Sequence, residues 1–193
     1  MTKRKYKLKQ RAAKQQETRE KIVDAAVALH EEIGPAATTI SALAERAGVQ
    51  RLTVYRHFAS EQEICEACSS KWLSVHVPPD FTAISAARQG QLTEKGLKAI
   101  YEYYSTNQRM FSSLTRDLGK VPAIDQAMAR FDGYLEAFAA FLLRDWAPRR
   151  SKRLQATIRH ALRFSTWQSL SQEGLGAAVI VELVSSWIAA ASS

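Results

Sequence analysis

The chain has 193 residues and a net charge of +8 at pH 7, with 46% hydrophobic and 24% charged residues. This is the ordinary balance of a soluble globular protein, and the length allows one large domain or a small domain joined to a larger one. Eight Gly and five Pro are too few for a turn-rich all-β fold. The composition therefore predicts an all-α protein.

The positive charge is concentrated in the first third of the sequence. Residues 1–60 contain 12 Lys or Arg against 6 Asp or Glu, which gives this third a net charge of +6. Such clustering indicates a polyanionic partner, either nucleic acid or an anionic membrane surface. The alternative is that the charge serves solubility, which does not require clustering.

The sequence does not predict a membrane-targeting or membrane-spanning segment. The basic residues 1–14 are followed by the polar sequence QQETRE, so a signal peptide is not expected. The most apolar stretch, residues 175–191, is interrupted by Glu182 and predicts a poor membrane span. With only two cysteines and no export signal, we expect the chain to stay in a reducing cytoplasm, without membrane contact.

The first 60 residues predict an arm and three short helices. Residues 1–15 are basic and lack apolar periodicity, so they are interpreted as a flexible arm. A domain of residues 16–60 follows, in which apolar residues recur at helical spacing and stop at Gly34-Pro35. Thr39 is a good N-cap for a second helix, and Gly48 supplies the turn before a third. The predicted inward-facing residues are Ile22, Ala25, Ala26, Leu29, Ile40, Leu43, Ala44, Ala47, Val54 and Phe58.

The remaining residues, 61–193, predict a larger helical domain. Ser60 and Glu63 form a capping box that begins a connecting helix over residues 61–76, and Pro78-Pro79 marks a boundary. Breaks at Asn, Gly and Pro residues then separate further helices, which gives about nine in total. Their predicted ranges are 93–107, 108–119, 123–146, 152–172 and 175–191.

Three helices with a short glycine turn before the third describe a helix-turn-helix unit. The outer face of the third helix then carries Gln50, Arg51, Thr53 and Arg56. Arg can donate two hydrogen bonds to guanine in the major groove, and a Thr methyl group or Leu52 can contact a thymine methyl. Tyr55 is expected to reach a backbone phosphate, with its ring packed against the small core.

The stretch TTISALAERAGVQRLTVYRHFASEQEI, residues 38–64, closely resembles the DNA-binding motif of TetR-family transcriptional regulators. The resemblance covers roughly residues 18–75. It implies a nine- or ten-helix homodimer whose larger C-terminal domain binds a small effector, and a repressor that the effector releases from a palindromic operator in double-stranded DNA. The DNA-contacting residues that it implies are Thr39, Gln50, Arg51, Leu52, Thr53, Tyr55 and Arg56.

Two residues depart from the family pattern. Gln50 stands where Ser or Thr usually caps the third helix, and Glu61 stands where a phosphate-binding Lys is common. We therefore expect Gln50 to give a weaker cap or to reach a base instead. Because Glu61 places a negative charge near the DNA backbone, we expect the fourth helix to contribute little to DNA affinity and the basic arm to compensate. Lys3, Arg4 and Lys5 of the arm are candidates for phosphate or minor-groove contact, the alternative being a solubilising tail.

The C-terminal domain is rich in large aromatic side chains. Aromatic residues at helical spacing are most often core, but cavities between helices of a bundle also bind apolar ligands. Given the family resemblance, we expect a pocket for a small, largely apolar effector. The candidate lining residues are Tyr101, Tyr104, Met110, Phe111, Leu114, Phe131, Tyr134, Phe138, Phe164 and Trp167.

The last helices carry apolar faces too wide for a single neighbour. Such a helix is buried on more than one side, either by a two-fold mate or as the central helix of a monomer. Since helix-turn-helix proteins read paired half-sites, we expect the homodimer. The predicted interface residues are Leu154, Ile158, Ala161, Ser165, Val179, Leu183 and Trp187.

Cys65 and Cys68 form a C-x-x-C pattern, which raises a thiol- or metal-responsive regulator as the alternative function. They share a predicted helix face with Ile64 and Trp72, and a closed zinc site needs four ligands. Core packing is therefore the preferred interpretation. No metal-spaced His cluster, phosphate loop or nucleophile–base pair is found in residues 93–191, so we expect neither an enzyme nor a cofactor.

Overall fold

The computed structural model describes residues 3–86, 88, 90–147 and 151–192, with side chains from residue 6 onward. This part of the chain contains ten α-helices, three short 3₁₀ segments and no β-strand, which confirms the predicted all-α class. The helices are α1 (Lys3–Glu32), α2 (Ile40–Ala47), α3 (Arg51–His57), α4 (Glu61–Val75), α5 (Gln91–Thr106), α6 (Gln108–Arg116), α7 (Pro122–Leu142), α8 (Lys152–Ala161), α9 (Phe164–Gln172) and α10 (Ala177–Ala191).

The chain divides into two compact units, and both α6 and α7 contribute residues to each of them. The first unit comprises Met1–His76 and Ser112–Ala127, and the second comprises Val77–Phe111 and Met128–Ser193. The N-terminal unit therefore contains α4 and a mid-chain segment in addition to the predicted 16–60 domain. The reason is packing, because Ile64 and Cys68 of α4 belong to the hydrophobic core of the helix-turn-helix.

The core of the first unit follows the predicted apolar spacing. Ile22 and Ala26 of α1 and Val54 of α3 are fully buried, and Phe58 is 2% exposed. Leu43 and Ala44 complete the cluster from α2. Burial of these side chains at i, i+3, i+4 and i+7 provides the main stabilisation of helices too short to be stable alone.

The N-terminal arm differs from the prediction, because residues from Lys3 onward are helical and continuous with the core part of α1. Lys, Arg, Gln and Ala are good helix formers, which explains a helix without apolar periodicity. Pairs at i, i+4 add support, with Glu17 bonded to Lys21 and Gln16 bonded to Glu20 at 2.8 Å each. Side chains 6–17 are all exposed.

The predicted helix-start signals are confirmed. Thr39 accepts a hydrogen bond from the backbone N–H of Ala42 at 3.1 Å and caps α2. Ser60 accepts the N–H of Glu63 at 3.2 Å, and the Glu63 carboxylate accepts the N–H of Ala59 at 2.9 Å. The capping box therefore closes one residue before the helix cap rather than on Ser60 itself.

The core of the second unit is centred on α5. Leu97, Ile100 and Tyr104 are fully buried, together with Ile158 of α8 and Ile188 of α10. A Cβ atom added to Gly96 would lie 2.7 Å from the Leu142 side chain. The glycine therefore allows close approach of α5 and α7.

The prediction of one helix over residues 152–172 is wrong, because the chain breaks between α8 and α9 at Leu162 and Arg163. Tertiary hydrogen bonds stabilise the break. Tyr101 and Tyr104 donate their hydroxyl groups to the carbonyl oxygens of Ala161 and Leu162 at 2.7 Å each. Sequence periodicity gives no sign of these donors, since they lie about 60 residues away on α5.

Candidate nucleic-acid interface

The α3 helix is held in place by its inward-facing residues and by the turn before it. Val54 and Phe58, four residues apart, fill the core beneath the helix. The turn begins at Gly48, whose φ of 66° lies in the left-handed region that favours glycine. The N–H of Val49 then bonds the carbonyl of Ala44 at 2.9 Å and closes the turn. These contacts fix the direction of α3.

The outer face of α3 is exposed and cationic. Gln50, Arg51 and Arg56 are exposed, Leu52 is 56% exposed, and Thr53 is half-buried. Neither guanidinium forms an ion pair with a described residue of the chain. Both cations are therefore available to an external acceptor such as a guanine edge or a phosphate oxygen.

Gln50 occupies the N-cap position of α3, and its side chain makes no capping hydrogen bond. Its backbone carbonyl accepts the N–H groups of Thr53 and Val54 and begins the helix. The side-chain amide is therefore free to reach outward. This agrees with the prediction that the cap is weak at this position.

The placement of Tyr55 differs from the prediction. Its ring is 53% exposed rather than packed against the core, because Val54 and Phe58 take the inward positions of this short helix. The hydroxyl group is correspondingly more accessible. Thr39 is exposed while its oxygen caps α2, so its hydroxyl proton stays available for donation. The side chains of Lys3, Arg4 and Lys5 lie outside the described residues.

Two contacts that the sequence did not reveal hold α1 against α2 and against the end of α3. Arg46 of α2 forms a bidentate ion pair with Glu32 of α1, with N–O distances of 2.6 and 2.8 Å. The Arg19 guanidinium lies 4.6 Å from the centre of the Phe58 ring. Both are long-range pairs, so no local pattern could indicate them.

A comparison with known families matches the N-terminal part of the chain. Residues 22–68, which span α1 from Ile22, α2, α3 and half of α4, match the sequence model described as bacterial regulatory proteins of the tetR family. The match assigns residues 22–68 to the DNA-binding domain of the TetR family. This domain and the helical fold support a DNA-binding transcriptional regulator.

Solved structures share the fold over most of the chain. A putative fatty acid metabolism regulator from Clostridium perfringens is 20% identical, with a TM-score of 0.64, and the match covers 86% of this chain and 94% of that one. A TetR-like regulator from Rhodococcus sp. RHA1 is 15% identical, with a TM-score of 0.63, covering 89% and 93%. The multidrug binding protein EbrR, complexed with imidazole, is 18% identical, with a TM-score of 0.57, covering 88% and 94%. A search of curated proteins found no match.

Most of the predicted effector-pocket residues are packed core of the second unit. Seven are 6% exposed or less: Tyr101, Tyr104, Met110, Phe111, Phe138, Phe164 and Trp167. Phe131 and Tyr134 are half-buried, and their rings stack at a centroid distance of 5.5 Å. Leu114 belongs to the first unit. Tyr103, which the sequence analysis did not select, lies 5.6 Å from Phe111 in an edge-on contact.

A groove of about 700 Å³ opens between α5 and α10 of the second unit. Of the ten predicted pocket residues, only Tyr101 lines it. The remaining lining is mixed in charge on α5 and, apart from Glu182, small or apolar on α10. It consists of Glu94, Lys95, Lys98, Glu102, Ala177, Ala178, Val181, Glu182 and Ser185. This groove is therefore distinct from the aromatic cluster that the sequence selected.

The predicted dimer residues separate into two groups. Leu154, Ile158 and Ala161 are at most 1% exposed within one protomer, so the prediction that they face a second copy is wrong. They point inward because α8 packs on α10. Ser165, Val179, Leu183 and Trp187 remain accessible, with Val179 50% and Trp187 37% exposed.

The two cysteines are buried, which confirms the core-packing interpretation. The Cys68 Sγ lies 3.5 Å from Nδ1 of His30, a buried residue of α1. Burial raises the pKa of the Cys65 thiol to about 11 and that of Cys68 to about 12. Among the described residues, no group of three or more His, Cys, Asp or Glu is arranged to hold a metal ion.

Within the described ranges, none of the helices combines the length and apolar character that crossing a bilayer requires.

Proposed function

We propose that this TetR-family regulator is a homodimeric repressor that binds a palindromic operator and is released by a small, largely apolar effector. The observation that carries the proposal is the exposed outer face of α3, where Arg51 and Arg56 have no intramolecular ion pair with any described residue. A face of this size and charge fits the major groove of B-DNA.

The side chains of α3 divide into base-reading and phosphate-binding roles. Arg51 lies in the first turn of the helix, the part that enters the groove in helix-turn-helix proteins, and is assigned to a guanine. Thr53 and Leu52 are assigned to thymine methyl groups. Tyr55 and Thr39 are assigned to phosphate oxygens, which position the helix without reading sequence.

The N-terminal part of α1 supplies further phosphate contacts in this proposal. Lys7, Lys9, Arg11 and Lys14 are exposed on a helix that makes no core contact in this region. Each lysine or arginine that neutralises a phosphate steepens the salt dependence of binding. Deletion of residues 1–14 is therefore expected to flatten that dependence.

Dimerisation is assigned to the accessible side of α10. Val179, Leu183 and Trp187 are spaced four residues apart on a helix whose single charged residue is Glu182. Exposed apolar stripes of this kind favour a protein partner. Two copies are needed because paired half-sites lie about one helical turn apart on DNA.

The effector is assigned to the second unit. The half-buried rings of Phe131 and Tyr134 adjoin the fully packed aromatic cluster and offer an apolar surface for a small molecule. The names of two of the three structural relatives, a putative fatty acid metabolism regulator and a multidrug binding protein, support an effector of low polarity. Such a ligand releases DNA only if it binds the conformation that does not bind DNA more tightly than the conformation that does.

Selection of bound sequences from a random duplex pool tests the core of the proposal. We expect an enriched inverted repeat, with two subunits bound per duplex in sedimentation measurements. A monomeric protein that enriches no sequence contradicts the proposal. The effector part is tested by measuring the binding of medium-chain fatty acids and planar aromatic compounds with and without operator DNA. Operator DNA must weaken effector binding by the same factor as the effector weakens DNA binding.

A further inference from the structure

The turn between α1 and α2 contacts a buried carboxylate from the mid-chain segment of the first unit. Asp117 is 3% exposed and accepts the backbone N–H of Ala36 at 3.1 Å. Arg116 and Lys120 donate to the same carboxylate at 3.3 and 3.2 Å. Burial alone raises the pKa of the Asp117 carboxyl, but these three donors together hold it below its usual value. The carboxylate is therefore charged and hydrogen-bonded to all three donors.

The neighbouring residues bond carbonyl groups at the C-terminal end of α1 and directly after it. Pro35 has no N–H, so the Glu31 carbonyl lacks the helical donor that position 35 would otherwise provide. The Ser113 hydroxyl lies 3.4 Å from that oxygen, and Arg116 donates to the carbonyl of Ile33 at 2.8 Å. Residues 113–117 therefore complete the C-terminal end of α1.

Gly34 allows this contact to form. Its φ of 90° lies in a region that favours glycine, and a Cβ atom at this position would overlap the Arg116 and Asp117 side chains. The glycine that the sequence marked as a helix end thus has a second role. It provides the space in which Arg116 and Asp117 reach the turn.

The turn leads directly into the DNA-reading helices. Thr38 donates its hydroxyl group to the Gly34 carbonyl at 2.8 Å, and Thr39 is the N-cap of α2. Ala36, which Asp117 holds, lies three residues before that cap. The position of the turn therefore sets where α2 begins, and α2 carries α3 through the tight turn at Gly48.

We infer that Arg116 and Asp117 are positioning residues for DNA reading, which fix the α1–α2 turn and thereby the orientation of α2 and α3 in the first unit. The inference rests on the proposed function, and it gives a role in DNA binding to two residues that are not among the assigned DNA contacts. A hydrogen bond from a backbone N–H to a buried, charged carboxylate is strong, so its loss frees the turn.

Asp117→Asn provides the test, with Asp125→Asn as the matched control. Asp125 lies in the same segment and also accepts a backbone N–H, that of Gly119 at 2.8 Å, but does not contact the turn. Affinity for the selected inverted repeat and for an unrelated duplex is measured by fluorescence anisotropy, at a temperature far below the midpoint of thermal unfolding. We expect Asp117→Asn to weaken specific binding about tenfold and non-specific binding hardly at all, because phosphate contacts tolerate reorientation. Asp125→Asn is expected to leave both affinities unchanged.

Arg116→Ala gives a second measurement if Asp117→Asn does not fold, because the Arg116 side chain is 54% exposed. Arg109→Ala, an exposed arginine of the same helix, is its control. A several-fold loss of specific binding confined to Arg116→Ala supports the inference. Unchanged specific-to-non-specific affinity ratios in the Asp117 and Arg116 variants overturn it. Wild-type protein without any sequence preference overturns the proposed function as well.

Discussion

The hydroxyl group of Tyr101 on α5 donates a 2.7 Å hydrogen bond to the carbonyl oxygen of Ala161, the last residue of α8. The helix break after Ala161 removes the intrahelical donors of this buried carbonyl. The Tyr104 hydroxyl group donates to the carbonyl oxygen of Leu162, and the Thr166 hydroxyl group donates to the carbonyl oxygen of His160 at 2.6 Å. Three hydroxyl groups thus stabilise the break between α8 and α9.

Tyr101→Phe is expected to destabilise the protein by about 1–3 kcal/mol, because a buried carbonyl loses its hydrogen-bond donor. Burial raises the pKa of the Tyr101 hydroxyl, which keeps it protonated as a donor at neutral pH. Urea unfolding measures the change. Tyr55→Phe removes an exposed hydroxyl and serves as the control, with no expected loss of stability. Equal stability of both variants contradicts the role of Tyr101.

Gly34→Ala is expected to cost more stability than Gly119→Ala. Both glycines have positive φ, so each substitution carries backbone strain of about 1–2 kcal/mol. A Cβ atom at Gly119 meets open space, whereas one at Gly34 overlaps Arg116 and Asp117. The overlap adds about 1–3 kcal/mol. Urea unfolding of the two variants compares these costs within one unit, and equal losses would show that the Gly34 site can relax freely.

Stability is expected to fall between pH 7 and pH 5 because of His30. Burial lowers the pKa of this imidazole to about 4, partly opposed by the charge of Asp117. The unfolded chain, with a pKa near 6.5, binds the proton more readily, so stability is full above that pH and is lost toward pH 4. The loss by pH 5 is about 2 kcal/mol. Unfolding free energies at both pH values measure it.

His30→Gln removes the titrating group and is expected to flatten this part of the pH dependence. His160→Gln removes an exposed imidazole and is expected to retain the wild-type slope. If His30→Gln and wild type lose the same free energy between pH 7 and pH 5, other groups cause the loss.

The cysteine thiols are expected to react slowly with Ellman's reagent in the native protein. The thiolate is the reactive form, and burial raises the pKa values of Cys65 and Cys68 to about 11 and about 12. Denaturant is expected to make both thiols react rapidly. Rapid modification of the native protein, or loss of regulation in Cys68→Ser, would revive the thiol-responsive alternative.

Arg51→Ala is expected to weaken operator binding by about 1–3 kcal/mol and to relax preference at one base position. Tyr55→Phe is expected to weaken binding while leaving sequence preference unchanged, because a phosphate contact carries no sequence information. Competition assays with single-base operator variants separate the two effects. The same loss of preference in both variants contradicts the assigned roles.

Local patterns predicted the DNA-reading unit in detail. Ile22, Leu43, Val54 and Phe58 each belong to an apolar pattern within their own helix or at its end, and the caps at Thr39 and Ser60 and the turn at Gly48 bond residues a few positions away. The dimer residues were predicted less well. Leu154 and Ile158 are apolar at helical spacing, and periodicity cannot say whether such a face meets its own chain or another.

The sequence by itself determined the all-α class, the helix-turn-helix and its exposed cationic face, because helix periodicity, caps and glycine turns are local properties of the chain. Only the tertiary structure decided where α8 ends, which apolar residues remain accessible on α10, and that Asp117 holds Ala36, 81 residues away. Those features depend on hydrogen bonds and burial between distant segments, which form only when the chain has folded.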